Sequence, residues 1–135
     1  MIIITAIDDN KGMMFNKRRQ TQDRNMREYI LKIVKNESLW MNVYSYGLFL
    51  NHKNANIKVS DKCLELVKEN EYCFVENIDI KKYENKIEKL ILFRWNCKYP
   101  SDFKLNLDLE QWRLIAKEDF KGTSHEKITE EEYIK

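Results

Sequence analysis

Asp23 is the residue of this chain best placed to do chemistry. It stands three residues before Met26 and seven before Ile30, so a helix beginning near Thr21 sets its carboxylate on the stripe of the apolar side chains. A carboxylate on an apolar stripe has a raised pKa and can protonate or hydrogen-bond a heterocycle. The competing reading is a first-turn acid that favours the helix macrodipole and meets solvent. Lys17, Arg18 and Arg19 lie just ahead, with Arg24 and Arg27 close after. Cations gathered near a helix start can hold phosphate or a nucleic-acid backbone, assisted by free backbone donors. They can equally form a solvated surface paired with Asp8, Asp9 and Asp23. Aromatic interleaving of the kind that grips single strands is limited here to Phe15 and Tyr29.

Other reactive side chains carry less. Tyr44 and Tyr46 stand at a strand-to-helix turn and suit either a pocket rim or ordinary packing. His52 falls in a polar loop, and His125 follows Ser124 without an acid at a fixed spacing, so neither forms a triad by sequence. Glu130, Glu131 and Glu132 are expected to face solvent. Cys63, Cys73 and Cys97 match neither a zinc ribbon nor a disulfide framework and fit reduced thiols. Two distant histidines cannot supply a binuclear zinc site. A P-loop and a complete dinucleotide glycine fingerprint are absent from the sequence.

The elements that must position these residues follow from periodicity. Ile2 to Ile7 is a continuous apolar, β-branched run bounded by Asp-Asp-Asn and Gly12, which fits a central strand buried on both faces. Residues 8 to 20 read as a polar loop. From Thr21 the period changes, and Met26, Tyr29, Ile30, Ile33 and Val34 mark an amphipathic helix reaching Lys35. Strands are expected at Leu39–Val43, Tyr72–Val75 and Leu90–Trp95, with late strands at Trp112–Ile115 and Lys127–Ile134. Short helices are expected at Ser45–Leu50, after a Ser60 cap, and at Tyr83–Ile87, with a polar loop at 51–56. Strands alternating with helices give an α/β domain with a mostly parallel first half.

With 135 residues and a single proline, the chain fits one domain over 1–135. Hydrophobic residues at 43% exclude a disordered chain, and a net charge of +2 is too small to announce nucleic acid by itself. No leader, cleavage site or apolar stretch long enough for a membrane span is visible, so a cytoplasmic location is expected.

Several pieces fall in the order of dihydrofolate reductase. Ala6-Ile7-Asp8-Asp9-Asn10-Lys11-Gly12 resembles that family's first strand and the start of its mobile loop, with Asp23 near the position of its carboxylate. Leu39-Trp40-Met41-Asn42-Val43-Tyr44-Ser45-Tyr46 is similar to its second strand and following turn. Lys89-Leu90-Ile91-Leu92, Tyr99-Pro100-Ser101-Asp102-Phe103, Trp112 and Ser124-His125 with Tyr133 are similar to its late strands and linker. The departures are as specific. Lys17-Arg18-Arg19-Gln20-Thr21-Gln22 stands where the family loop has Pro-Trp and a second proline, and Phe93 replaces its assisting threonine. Glu76-Asn77 replaces a Gly-Gly pair that lets backbone approach the cofactor pyrophosphate. The stretch between Tyr46 and Cys73 is too short for the family's arginine-bearing turn and adenosine segment. The opening also resembles small uncharacterised bacterial proteins labelled ribonuclease Z, an activity that needs a metal site this chain lacks.

The resemblance implies a shortened dihydrofolate-reductase-like α/β fold, with a mixed, mostly parallel sheet flanked by helices. The expected function is a diverged non-reductase that binds a small heterocyclic or phosphorylated ligand beside Asp23. Asp23 would be the catalytic or ligand-bonding group, Ala6, Ile7, Met26, Tyr44 and Phe93 would line the site, and Lys17, Arg18 and Arg19 would meet anionic groups. No metal is expected, and the cofactor stays open. Two alternatives stand beside this reading: an RNA-binding or RNA-processing accessory protein using the basic loop, and an NADPH-dependent reductase whose cofactor site comes from another segment.

Overall fold

Strand β1 (Ile2–Ile7) runs through the middle of the molecule between β6 (Tyr72–Phe74) and β7 (Lys89–Arg94), parallel to both. A computed structural model of the chain describes residues 1–52 and 55–135. Positions 53 and 54 of the expected polar loop lie outside the described residues. The main sheet has seven strands in the order β5-β4-β6-β1-β7-β10-β9, completed by β4 (Leu39–Met41), β5 (Ile57–Val59), β9 (Arg113–Phe120) and β10 (Ile128–Ile134). Its first five strands are parallel, and β10 and β9 close one side antiparallel.

The apolar run of β1 follows from burial on both faces. Ile2 and Ile4 join a core with Met26, Ile30, Val34, Phe74 and Phe93, while Ile3 and Ile7 face a second core with Leu90, Leu92, Leu105 and Trp112. Helix α1 (Arg24–Val34) covers the first core, and its fully buried side chains are Met26, Ile30 and Val34, the expected stripe. Each such side chain contributes about 1.5–3 kcal/mol by leaving water. The short helices α2 (Val43–Tyr46) and α3 (Cys63–Leu66) and a 3₁₀ helix at Lys81–Lys86 connect the strands. Ser60 does not cap α3. Lys62 holds that position without a side-chain bond, and Ser60 forms a turn just ahead of it.

Two further expectations are corrected. Residues 8–20 are not an open loop: β2 (Gly12–Phe15) and β3 (Arg18–Arg19) form a hairpin, and β2 also pairs with β8 (Phe103–Lys104). The hairpin turns through Asn16 and Lys17, at φ 55° and 62°, the left-handed pair of a two-residue turn. The turn is hard to see in sequence because lysine, not glycine, takes the second place. Nor do the three glutamates face solvent. β10 lies between β7 and β9, so Glu130 and Glu131 are buried. Glu131 pairs with Arg94 and accepts the Tyr133 hydroxyl at 2.8 Å. Glu130 is pushed up to about 8 by burial and by neighbouring Glu132, which keeps it protonated at neutral pH.

Candidate functional site

Asp23 is the N-cap of α1, and its Oδ1 accepts the amides of Asn25 at 2.9 Å and Met26 at 3.3 Å. The turn between β9 and β10 closes over the same carboxylate. Oδ1 accepts the Thr123 amide at 3.0 Å and its hydroxyl at 3.1 Å, and Oδ2 accepts the Ser124 amide at 2.9 Å and its hydroxyl at 3.1 Å. His125 Nδ1 completes the shell, 3.0 Å from Oδ2. Gly122 makes this closeness possible, since a Cβ there would sit 2.4 Å from Asp23 Oδ2 and 2.9 Å from the His125 carbonyl.

The expectation that Asp23 faces a ligand cleft with a raised pKa is therefore replaced. Its side chain is 0% exposed. Burial alone would raise its pKa, but the bonds from His125, Ser124 and Thr123 outweigh that and hold it well below the usual carboxylate range.

The heterocycle that meets Asp23 is the chain's own. The His125 ring stacks on buried Trp95, with centroids 4.5 Å apart and planes at 23°. Its Nε2 stands 2.9 Å from the Tyr99 hydroxyl. An ionised carboxylate only accepts, so Asp23 fixes a hydrogen on Nδ1 and leaves Nε2 to the Tyr99 hydroxyl. Burial and the nearby Cys97 thiol keep the Tyr99 phenol above its ordinary pKa, so it remains a donor. Asp23, His125 and Tyr99 are thus linked in one hydrogen-bonded chain. No local spacing announces it, because the members come from α1, the segment after β7 and the last turn. Gly122 is the one sequence signal, a mark of close approach.

The cations converge only in part. Adjacent residues of a strand face opposite sides, and Arg18 and Arg19 part accordingly. Arg19 turns inward, with Nε 2.8 Å and Nη2 3.1 Å from the Glu76 carboxylate, and its guanidinium lies 4.4 Å from the Tyr44 ring centroid. Ser45 donates to Glu76 at 2.8 Å, and Tyr44 Oη accepts the Arg19 amide at 2.8 Å. Arg18 lies on the wall of an open cleft of about 460 Å³ with Phe15, Asn16, Gln20, Tyr99 and Pro100, and Arg19 borders the same cleft. Lys17 lines a separate cleft with Met14, Asn77, Asp102 and Phe103. Arg24 is exposed, and Arg27 donates to Gln22.

The expected lining residues divide as well. Ala6 and Met26 border an inner cavity of only about 10 Å³ beside Arg19, Glu76 and Trp95, room for about one water. Ile7 faces the opposite core, and Phe93 packs edge-on against Tyr29 and Phe120. Buried Asp8 braces the outer cleft by accepting the amides of Gly12 at 2.7 Å and Tyr99 at 3.1 Å and the Gln20 side chain at 3.0 Å.

No family model matches the chain, and no curated protein does. Among solved structures it is similar to dihydrofolate reductase from Enterococcus faecalis in complex with NADP(H) and RAB-propyl. The TM-score is 0.66 at 11% identity, over 99% of this chain and 95% of that one. The fold is that of dihydrofolate reductase. The resemblance to ribonuclease Z finds no support in these comparisons, and the described residues hold no group of three His, Cys, Asp or Glu placed for a metal ion. No helix among them is long and apolar enough to cross a membrane.

The fold family implies NADPH, and the residues present do not fit it. Where the family has its Gly-Gly pair this chain has Glu76, buried and tied to Arg19 and Ser45. A buried side chain tied to Arg19 and Ser45 is not the bare backbone that a Gly-Gly pair offers a pyrophosphate.

Proposed function

We propose that this chain is a non-reducing protein of the dihydrofolate reductase fold that binds a small anionic ligand in the outer cleft. The observation that carries the reading is the contrast between neighbouring arginines. Both border about 460 Å³ of open space, but Arg19 is paired with Glu76, whereas Arg18 makes no ion pair among the described residues. A phosphate or carboxylate there would meet a guanidinium suited to paired hydrogen bonds, with Asn16 and Gln20 as polar neighbours. Phe15, 44% exposed, and Tyr99 offer faces for a ring attached to the anion.

Equilibrium binding tests this directly. Phenyl phosphate is expected to bind the full chain in the millimolar range or tighter and to lose about tenfold in affinity in Arg18→Ala. NADPH and a pterin are expected to stay silent at the same concentrations. Saturable NADPH binding, or phenyl phosphate binding indifferent to Arg18, contradicts the reading. A short RNA is included as a further ligand: tight binding that falls steeply with salt would favour the RNA alternative instead.

A further inference from the structure

A second cleft of about 440 Å³ is lined by Met14, Lys17, Asn77, Asp102 and Phe103, none of which lines the outer cleft. Its volume lies within the range of small-molecule sites. Met14 of β2 and Phe103 of β8 are direct partners across the two strands, so their side chains share a face and give the cleft an apolar side. Lys17 stands at the hairpin tip, its backbone set by the left-handed turn. Lys17 and Asp102 bring opposite charges to this one cleft, yet neither makes an ion pair among the described residues. Opposite charges that share a small cleft without meeting leave room for a molecule that carries both.

The surrounding hydrogen bonds fix what each polar side chain has left to offer. The Ser45 amide donates to Asn42 Oδ1 at 2.9 Å, so Asn42 presents Nδ2 as a donor, and the atom receiving it 2.8 Å away is Asn77 Oδ1. Asn77 therefore keeps its NH₂ for another acceptor, on the same cleft as the Lys17 ammonium. Asp102 Oδ2 accepts the Asn16 amide at 3.1 Å, while its Oδ1 accepts no bond among the described residues. Glu76, next to Asn77 in the chain, is held by Arg19 and Ser45 and does not compete for a cation. We propose that this cleft binds a free α-amino acid with an apolar side chain. The carboxylate meets Lys17 Nζ and the Asn77 NH₂, the ammonium meets Asp102 Oδ1, and the side chain lies on Met14 and Phe103. A simple anion would satisfy Lys17 but face the Asp102 carboxylate, and a simple amine would satisfy Asp102 but face the Lys17 ammonium, so the pair selects a zwitterion over either. This site is separate from the anion cleft and does not rest on it.

L-Leucine is the probe, titrated into the full chain at neutral pH beside two analogues that each lack one charge. N-acetyl-leucine keeps only the carboxylate and leucinamide only the ammonium. Leucine is expected to bind in the millimolar range or tighter, and each analogue about tenfold more weakly. Asp102→Asn, which keeps an acceptor for the Asn16 amide, and Lys17→Met, which keeps the length of the side chain, are each expected to lose about tenfold in leucine affinity. In Asp102→Asn the preference for leucine over N-acetyl-leucine should disappear, and in Lys17→Met the preference over leucinamide should disappear. These ligand comparisons are made within one folded protein, so a loss of stability cannot imitate them. By NMR, leucine is expected to move the Asn77 side-chain NH₂ signals and the amides of Lys17, Asp102 and Phe103. Absence of leucine binding at about 20 mM overturns the proposal. So does binding of N-acetyl-leucine or leucinamide to the wild-type chain as tight as that of leucine, which would mean that only one of the two charges is read. Leucine shifts confined to Arg18 and Tyr99 overturn it as well, by placing the amino acid in the outer cleft.

Discussion

Replacing Asp23 by alanine separates a buried cap from an open ligand-binding carboxylate. The substitution removes the N-cap acceptor for Asn25 and Met26 and the acceptor for Thr123, Ser124 and His125. Losing an N-cap costs about 1–2 kcal/mol. Hydrogen bonds to a charged group are worth about 1.5–3 kcal/mol each, and water recovers part of this for a turn at the surface. A loss of about 4 kcal/mol follows, which at about 3–4 °C per kcal/mol lowers Tm by about 12–16 °C. Asp23→Asn keeps an acceptor for the cap but turns an NH₂ toward the Ser124 and His125 donors, and about 2 kcal/mol is expected. The pH dependence has a definite sign. Asp23 is held below its ordinary pKa in the folded protein, so the unfolded chain binds more protons, and the stabilisation is full above about pH 4 and lost as pH falls through the folded-state value. Thermal and urea unfolding of wild type and both variants at pH 7 and pH 3 measures this. A Tm within about 3 °C of wild type for Asp23→Ala, unchanged between the two pH values, would refute the saturated cap and restore Asp23 as a free ligand-binding group.

Three further outcomes follow from the same geometry. Gly122→Ala places a methyl 2.4 Å from Asp23 Oδ2 and is expected to cost about 2 kcal/mol in urea unfolding. Arg19→Ala leaves Glu76 buried beside Ser45 without its counter-charge; a loss of about 3 kcal/mol is expected, and Arg19→Ala/Glu76→Ala should be less destabilised than Arg19→Ala alone, as a double-mutant cycle would report. Glu130, pushed up to about 8 in the folded state, binds its proton more tightly folded than unfolded, so its contribution is present below its unfolded value and declines as pH rises toward 8. Glu130→Gln is expected to raise stability by about 2 kcal/mol at pH 7 and to leave it unchanged at pH 4.

The parts of the fold legible in the sequence were those written in periodicity. Ile2 to Ile7 reads as a central strand because both its faces are buried, and Met26, Ile30 and Val34 declare the α1 stripe because one helix face packs on the sheet. The β2–β3 hairpin was hidden by its turn, where Asn16-Lys17 takes positive φ without glycine. The three glutamates of β10 look like a solvated run because nothing local reveals a strand covered on either side by β7 and β9. For the site, the position of Asp23 was legible and its partners were not. Its pKa falls instead of rising because Thr123, Ser124 and His125 bring it donors from about a hundred residues away in the chain. The split between Arg18 and Arg19 follows from strand alternation, which becomes readable only once that pair is known to be β-structure.

Amide chemical-shift mapping with sulfate and phenyl phosphate tests the outer anion cleft most directly. Saturable shifts are expected at Asn16, Arg18, Gln20 and Tyr99, with the amides of Ser45, Glu76 and Asn77 unmoved by direct contact. Shifts concentrated at Ser45, Glu76 and Asn77, with the hairpin and Tyr99 unaffected, would contradict that cleft by locating the ligand in the inner cavity that Arg19 and Glu76 close.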